Sequence, residues 1–171
     1  MSEFKKNEII ESIKNFDLPK YNEIPNVGLY LEQTAKYISE YLKPILETAV
    51  TGSMISNYVK KGLLSNPIKK QYSREQIAYL IFIAVAKTVL SMEDIKLLID
   101  IQKQTYASDV AYSYFETELK NVLSYVFGIA ASLEEIGETS SEQKKILRNL
   151  IITVSHKVYL EKSFSLLRND E

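Results

Sequence analysis

The chain has 171 residues, of which 46% are hydrophobic and 25% charged, a balance that fits a soluble globular protein and not a disordered one. Gly numbers 5 and Pro 4, too few for a turn-rich all-β design, and no Cys is present, which excludes disulfides, thiolate metal sites and thiol nucleophiles. A single His leaves little for a zinc site or a histidine triad, and a net charge of −1 gives no global case for a nucleic-acid partner, so any such case has to be local.

The segment from Ser2 to Phe16 places Phe4, Ile9, Ile10, Ile13 and Phe16 at helical spacing and predicts a short amphipathic helix. Pro19, Pro25 and Gly28 mark 17–28 as an extended loop. Leu31, Ala35, Ile38 and Leu42 resume a helical period over 29–46, with Pro44 kinking or ending it. Thr51 is a candidate N-cap for a helix of about three turns carrying Met54, Ile55, Tyr58 and Val59 on one face, with Gly62 at its left-handed C-terminal cap. The stretch 65–71 holds Pro67 and has room only for a loop or a minimal hairpin.

Ser73 and Gln76 form a capping box ahead of Ile77, Leu80, Ile81, Ala84, Val85 and Thr88, the clearest helix in the chain. Another opens at 91–94, where Glu93 and Asp94 complement the helix dipole. A long helix is predicted over 108–135. A second capping box, Thr139 to Glu142, starts the last helix, with Leu147, Leu150, Ile151, Val154 and Val158 on one side. No β-rich stretch or repeat is evident. The most apolar run, 77–89, is too short for a bilayer, and the N-terminus lacks a signal-peptide core, so the expected location is cytoplasmic, without a membrane. Two parts are expected: a helical unit over 1–104, and a two-helix hairpin over 105–171 with exposed Tyr106, Tyr112, Tyr114 and Tyr125, which has to pack on the first unit or on a second chain.

Charge is the strongest local signal. Between residues 51 and 74 stand Lys60, Lys61, Lys69, Lys70 and Arg74 without one Asp or Glu, which leaves a net −6 on the rest of the chain. That asymmetry fits an electrostatic footprint for phosphates, or a solvated face. Ser53, Ser56 and Asn57 on the same helix are short polar groups suited to base edges. Glu134, Glu135 and Glu138 read as a solvated hairpin tip, and His156 as a structural residue without a catalytic partner. The twelve Tyr read as packing residues with a hydroxyl at the rim. No catalytic, metal or cofactor site can be assembled, and no enzyme is expected.

The run Thr51, Met54-Ile55-Ser56-Asn57-Tyr58-Val59-Lys60-Lys61-Gly62-Leu63-Leu64, with Tyr72-Ser73-Arg74-Glu75-Gln76-Ile77 and Ile95-Lys96-Leu97-Leu98, resembles the recognition-helix region of MerR-type regulators over about 48–100. Over about 18–100, through Leu18-Pro19, Ile24-Pro25, Leu29-Tyr30, Gln33 and Pro67-Ile68-Lys69-Lys70, the chain is similar to an uncharacterised bacterial family, a domain of unknown function. The resemblance implies an all-α fold: a MerR-like helix-turn-helix with a reduced wing, followed by the C-terminal hairpin. It departs from the MerR pattern at Ser56, where an Arg is usual, at Asn57, where a Tyr is usual, and in the shortness of 64–72. The expected function is a transcriptional regulator that inserts helix 52–61 in the major groove of double-stranded DNA. Ser53, Ser56 and Asn57 would read bases, and Tyr58, Lys60, Lys61, Lys69, Lys70 and Arg74 would contact phosphates. Homodimerisation through the C-terminal helices would present two such helices about 34 Å apart. The alternatives are a helical protein–protein interaction module, or a ligand sensor with a pocket among the Tyr-rich C-terminal helices.

Overall fold

Thirteen residues, nine of them buried, need cover from several sides, and that requirement organises the molecule. They form α4 (Arg74–Ala86), in which Ile77, Ala78, Leu80, Ile81, Ile83, Ala84, Val85 and Ala86 are all buried. The computed structural model describes residues 3–137 and 141–168, with side chains from residue 6 onward. Ser2, Glu138 and Thr139, named above, therefore lie outside the described residues, as does the side chain of Phe4.

The described elements follow in order. They are α1 (Glu3–Glu11), a 3₁₀ turn (Tyr21–Glu23), β1 (Leu29–Tyr30), α2 (Leu31–Leu42), α3 (Gly52–Lys60) and β2 (Gln71–Tyr72). Then come α4, α5 (Met92–Thr105), α6 (Ser108–Val126) and α7 (Glu142–Arg168). The protein is mostly helical. The two short strands pair antiparallel, Leu29 with Tyr72 and Tyr30 with Gln71. Helix α2 packs against α3, against α4 and against both strands.

The helix starts are set by local chemistry. Thr51 Oγ1 accepts from the Met54 amide at 3.2 Å, and Ser73 Oγ from the Gln76 amide at 3.3 Å. Ser91 Oγ likewise accepts from the Asp94 amide at 3.1 Å. At the start of α7, Ser141 Oγ accepts from the Lys144 amide at 3.2 Å. Helix α2 stops ahead of Pro44, as expected of a residue without an amide proton.

Helix α6 ends at Val126, short of the predicted 135. Gly128, at φ +73°, terminates it: its amide donates to Tyr125 O and that of Ile129 to Ser124 O, so the chain reverses through a left-handed residue. Of the four tyrosines expected at the surface, Tyr112 is buried. Its hydroxyl donates to Pro19 O at 2.9 Å, and its phenol is held well above the ordinary range by burial.

The long helices α6 and α7 pack on each other and both cover α4, while α1 lies against α7. One hydrophobic core runs from Ile9 on α1 to Val158 on α7, through Ile38, Ile55, Ile81, Ile95 and Leu119. The apolar face of the C-terminal hairpin is thus buried on the first unit of the same chain.

Two carboxylates on α6 are inside. Glu116 pairs with Lys20, which reaches over from the loop before the 3₁₀ turn. Glu118 is fully buried and pairs with Nε of Arg148 on α7. The same guanidinium donates to Glu135 Oε1 at 2.7 Å and to Glu134 O. Arg148 therefore closes the α6–α7 connection onto both helices. The second oxygen of Glu118 is buried without a partner among the described residues, so the guanidinium is its main compensation. Arg148→Ala is expected to lower the unfolding free energy by about 3–5 kcal/mol, because it leaves a buried carboxylate unpaired. The double variant Arg148→Ala/Glu118→Leu should recover most of that loss, read from urea midpoints at constant slope.

Candidate nucleic-acid interface

Helix α3 turns one face inward and one outward. Ile55 and Tyr58 are buried and Met54 and Val59 partly so, while Ser53, Ser56, Asn57 and Lys60 are exposed. The four exposed positions fall at i, i+3, i+4 and i+7, a single stripe. At the helix C-terminus the Gly62 amide donates to Val59 O and the Leu63 amide to Tyr58 O, with Gly62 at φ +75°. Leu63 and Leu64 then enter the core, and Lys61 stays outside.

Gly52, the first residue of α3, is buried where α2 comes close. A Cβ there would stand 3.1 Å from Leu31 Cγ and overlap Glu32 Oε1. The absence of a side chain is what lets α3 seat against the start of α2. The carboxylate of Glu32 also lies at the positive end of α3, so the cations of this face gather at its other end, at Lys60 and Lys61.

The loop after α3 is held by Gln76 of α4. Its side-chain amide donates to Ser65 O at 3.0 Å, to Ser65 Oγ at 3.1 Å and to Asn66 O at 3.3 Å, while its Oε1 accepts from the Ser73 amide at 3.0 Å. That clamp leads into a tight hairpin. Ile68 bridges Gln71 antiparallel, and the Gln71 amide donates to Ile68 O at 2.9 Å. Lys69 and Lys70 form its two-residue tip with φ of +51° and +65°. Two consecutive positive values are the signature of a type I′ turn, which normally takes Asn-Gly. Here two lysines hold it, at a cost of about 1–2 kcal/mol for each side-chain-bearing residue in that region. Both are exposed, as is Ile68 beside them.

The sequence-predicted site divides in two. Ser53, Ser56, Asn57, Lys60, Lys61, Lys69 and Lys70 are all at the surface, and none of the four lysines forms an ion pair among the described residues. Tyr58 is buried, and Arg74 is partly exposed with its guanidinium engaged. Tyr58 is 2% exposed, and burial raises its phenol above the ordinary value, so its ring belongs to the core and not to the exposed stripe expected to meet phosphate. Arg74 is spent within the fold: Nε donates to Ile24 O at 2.8 Å and one Nη to Asn22 O at 3.1 Å, and the guanidinium lies over the Tyr21 ring at 5.9 Å. Its role is to fasten the loop before β1 onto the start of α4.

Sequence reasoning missed three features of this region. The connection between α2 and α3, residues 43–51, is longer than the three- or four-residue turn of the simplest helix-turn-helix. The pairing of β1 with β2 ties the segment before α2 to the hairpin. The positive φ values at Lys69 and Lys70 had no Gly or Asn to announce them. No group of His, Cys, Asp and Glu able to hold a metal occurs among the described residues.

A helical core carrying a small two-stranded ribbon, with α3 and a lysine-tipped turn at its surface, defines a mostly helical protein with an exposed polar and cationic element. The chain belongs to the family described as a domain of unknown function, DUF1836, whose model matches residues 19–125. That match begins in the loop after α1 and ends within α6, so it crosses the expected division at 104–105. No curated protein and no solved structure matches the chain.

Replacing Lys69-Lys70 with Asn-Gly should relieve the turn. The variant is expected to be more stable than the parent by about 1 kcal/mol, seen as a raised urea midpoint without a change in slope.

Proposed function

We propose that the protein binds double-stranded DNA as a winged helix-turn-helix regulator of MerR-like type. Helix α3 lies in the major groove in this reading, and the hairpin tip rests on a neighbouring stretch of phosphate backbone. Ser53, Ser56 and Asn57 read base edges, and Asn57 is the residue suited to bidentate pairing with adenine. Lys60, Lys61, Lys69 and Lys70 neutralise phosphates.

The observation that carries this reading is the hairpin tip. A tight turn that would be cheaper as Asn-Gly instead displays two unpaired cations, and strain of this kind collects where a function needs the side chains. The order of elements supports it as well: strand, helix, helix, tight hairpin, then a capped helix, with the first strand paired to the last. A second copy would supply the paired half-sites. The exposed apolar residues Leu160, Phe164 and Leu167 fall on one stripe of α7 and are the surface this reading assigns to that contact.

Mobility shift on random-sequence duplex at low salt tests the reading. The wild-type protein should shift the duplex at micromolar concentration, with log affinity falling against log salt at a slope near −0.9 per phosphate contacted. Lys60→Ala/Lys69→Ala/Lys70→Ala should lower that slope by roughly 3 such contacts. Asn57→Ala should relax base preference by about 1–3 kcal/mol at one position while leaving non-specific affinity nearly intact. Absence of any shift by the wild-type protein overturns the reading. A monomer by light scattering at high concentration removes the paired half-sites.

A further inference from the structure

A cavity of about 220 Å³ lies between α4, α5, α6 and the first turns of α7, away from α3 and the hairpin. Phe82, Phe115, Tyr79, Leu98, Ala111 and Leu147 are among its lining residues. Phe82 and Phe115 meet edge to face, with ring centroids 5.3 Å apart and planes at 88°, so the wall offers both a ring face and a ring edge. Part of the polar wall is internally paired. The Tyr79 hydroxyl donates to Gln102 Oε1 at 2.8 Å, and the Gln102 amide donates to Tyr106 O at 2.7 Å. Burial also raises the phenols of Tyr79 and Tyr114 above their ordinary value. Lys144 is the one charged residue among the described lining residues, and its ammonium lies over the Tyr114 ring at 5.1 Å. Val110 and Ile146 are exposed, so the lining reaches the surface through apolar side chains.

We propose that this cavity is a binding site for a small uncharged aromatic molecule of one or two fused rings. The size follows from volume: an apolar cavity of about 150 Å³ accommodates benzene, and this one is about half as large again. The class follows from the wall. It is mainly apolar, and the side chains of Tyr79 and Gln102 are already engaged, so a strongly polar or ionised ligand would lose its hydration with little replacement. Aromatic rings in the wall favour a flat ring over an alkyl chain of the same volume. The site is independent of the DNA reading, because it needs neither α3 nor the hairpin.

The test uses the whole protein without DNA, and 2-naphthol as the probe, followed by methyl NMR and calorimetry. The expected result is saturable binding at a 1:1 ratio, with shifts concentrated on the methyls of Ala78, Leu98, Ala111 and Leu147. Ala111→Trp and Leu98→Trp each plug the cavity from a different helix. Because the chain has no Trp, a blue-shifted emission verifies that the new indole is buried. Either plugged variant should bind 2-naphthol at least about tenfold more weakly, a change of about 1.4 kcal/mol. The anion 2-naphthoate should bind more weakly than 2-naphthol. No saturable binding, shifts centred elsewhere, undiminished affinity in a variant whose indole is buried, or preference for the anion each overturns the proposal. If neither variant folds, the wild-type shifts and the comparison of the two probes decide it alone.

Discussion

The constraint on which the rest of the structure depends is the burial of α4 over most of its circumference, all but the side of Glu75, Tyr79 and Phe82. A helix with one apolar stripe needs one partner, but Ile83, Ala86 and Ala78 lie off the stripe of Ile77, Leu80, Ile81 and Ala84 and are buried too. Helix α2 covers one side, and α6 and α7 cover others. The C-terminal hairpin is therefore fixed by what α4 must hide, and its own apolar face is satisfied in the same contact. This is why a single core reaches from α1 to α7.

Because α4 is held so completely, its first turn can act as an anchor for what lies outside. Three consecutive functions sit there. Ser73 caps the helix, Arg74 grips the carbonyls of Asn22 and Ile24, and Gln76 grips those of Ser65 and Asn66. The planar guanidinium suits a two-carbonyl grip, and a lysine would not reproduce it. The two segments fastened in this way are the one before β1 and the one before the hairpin. The Lys69–Lys70 turn is thus built on a rigid base, and that base is what can hold two side-chain-bearing residues in the left-handed region.

Much of this was legible in the sequence, and the legible part is chemically coherent. Thr51 and Ser73 as caps, Gly62 as a C-terminal stop and Pro44 as a breaker all act within four residues, and all are found in place. The exposed stripe of α3 was readable from its 3.6-residue period. What was not readable depends on distant partners. The strands are two residues each, too short to show alternation, and Leu29 meets Tyr72 only because α2 and α3 fold between them. Glu116 and Glu118 look like solvated helix positions until Lys20 and Arg148 arrive from far along the chain. Arg74 counted as one more cation because nothing local says that its partners are carbonyls at residues 22 and 24. The end of α6 was misplaced although Gly128 was a local signal, since an apolar period continues past it to Leu133.

The separation of the two surfaces follows from the same helix. The first turn of α4 faces the hairpin base through Gln76, and its middle faces the aromatic cavity through Ala78, Tyr79 and Phe82. These positions are at most six residues apart on a helix whose other sides are packed. A rigid-body shift of α4 made to accommodate a ring beside Phe82 would carry Gln76 and Arg74 with it. Three amide contacts and two guanidinium contacts join the loops before β1 and before the hairpin to that turn. Linkage makes any such coupling reciprocal: whatever docks on the hairpin and favours one position of α4 must alter affinity at the cavity by the same factor.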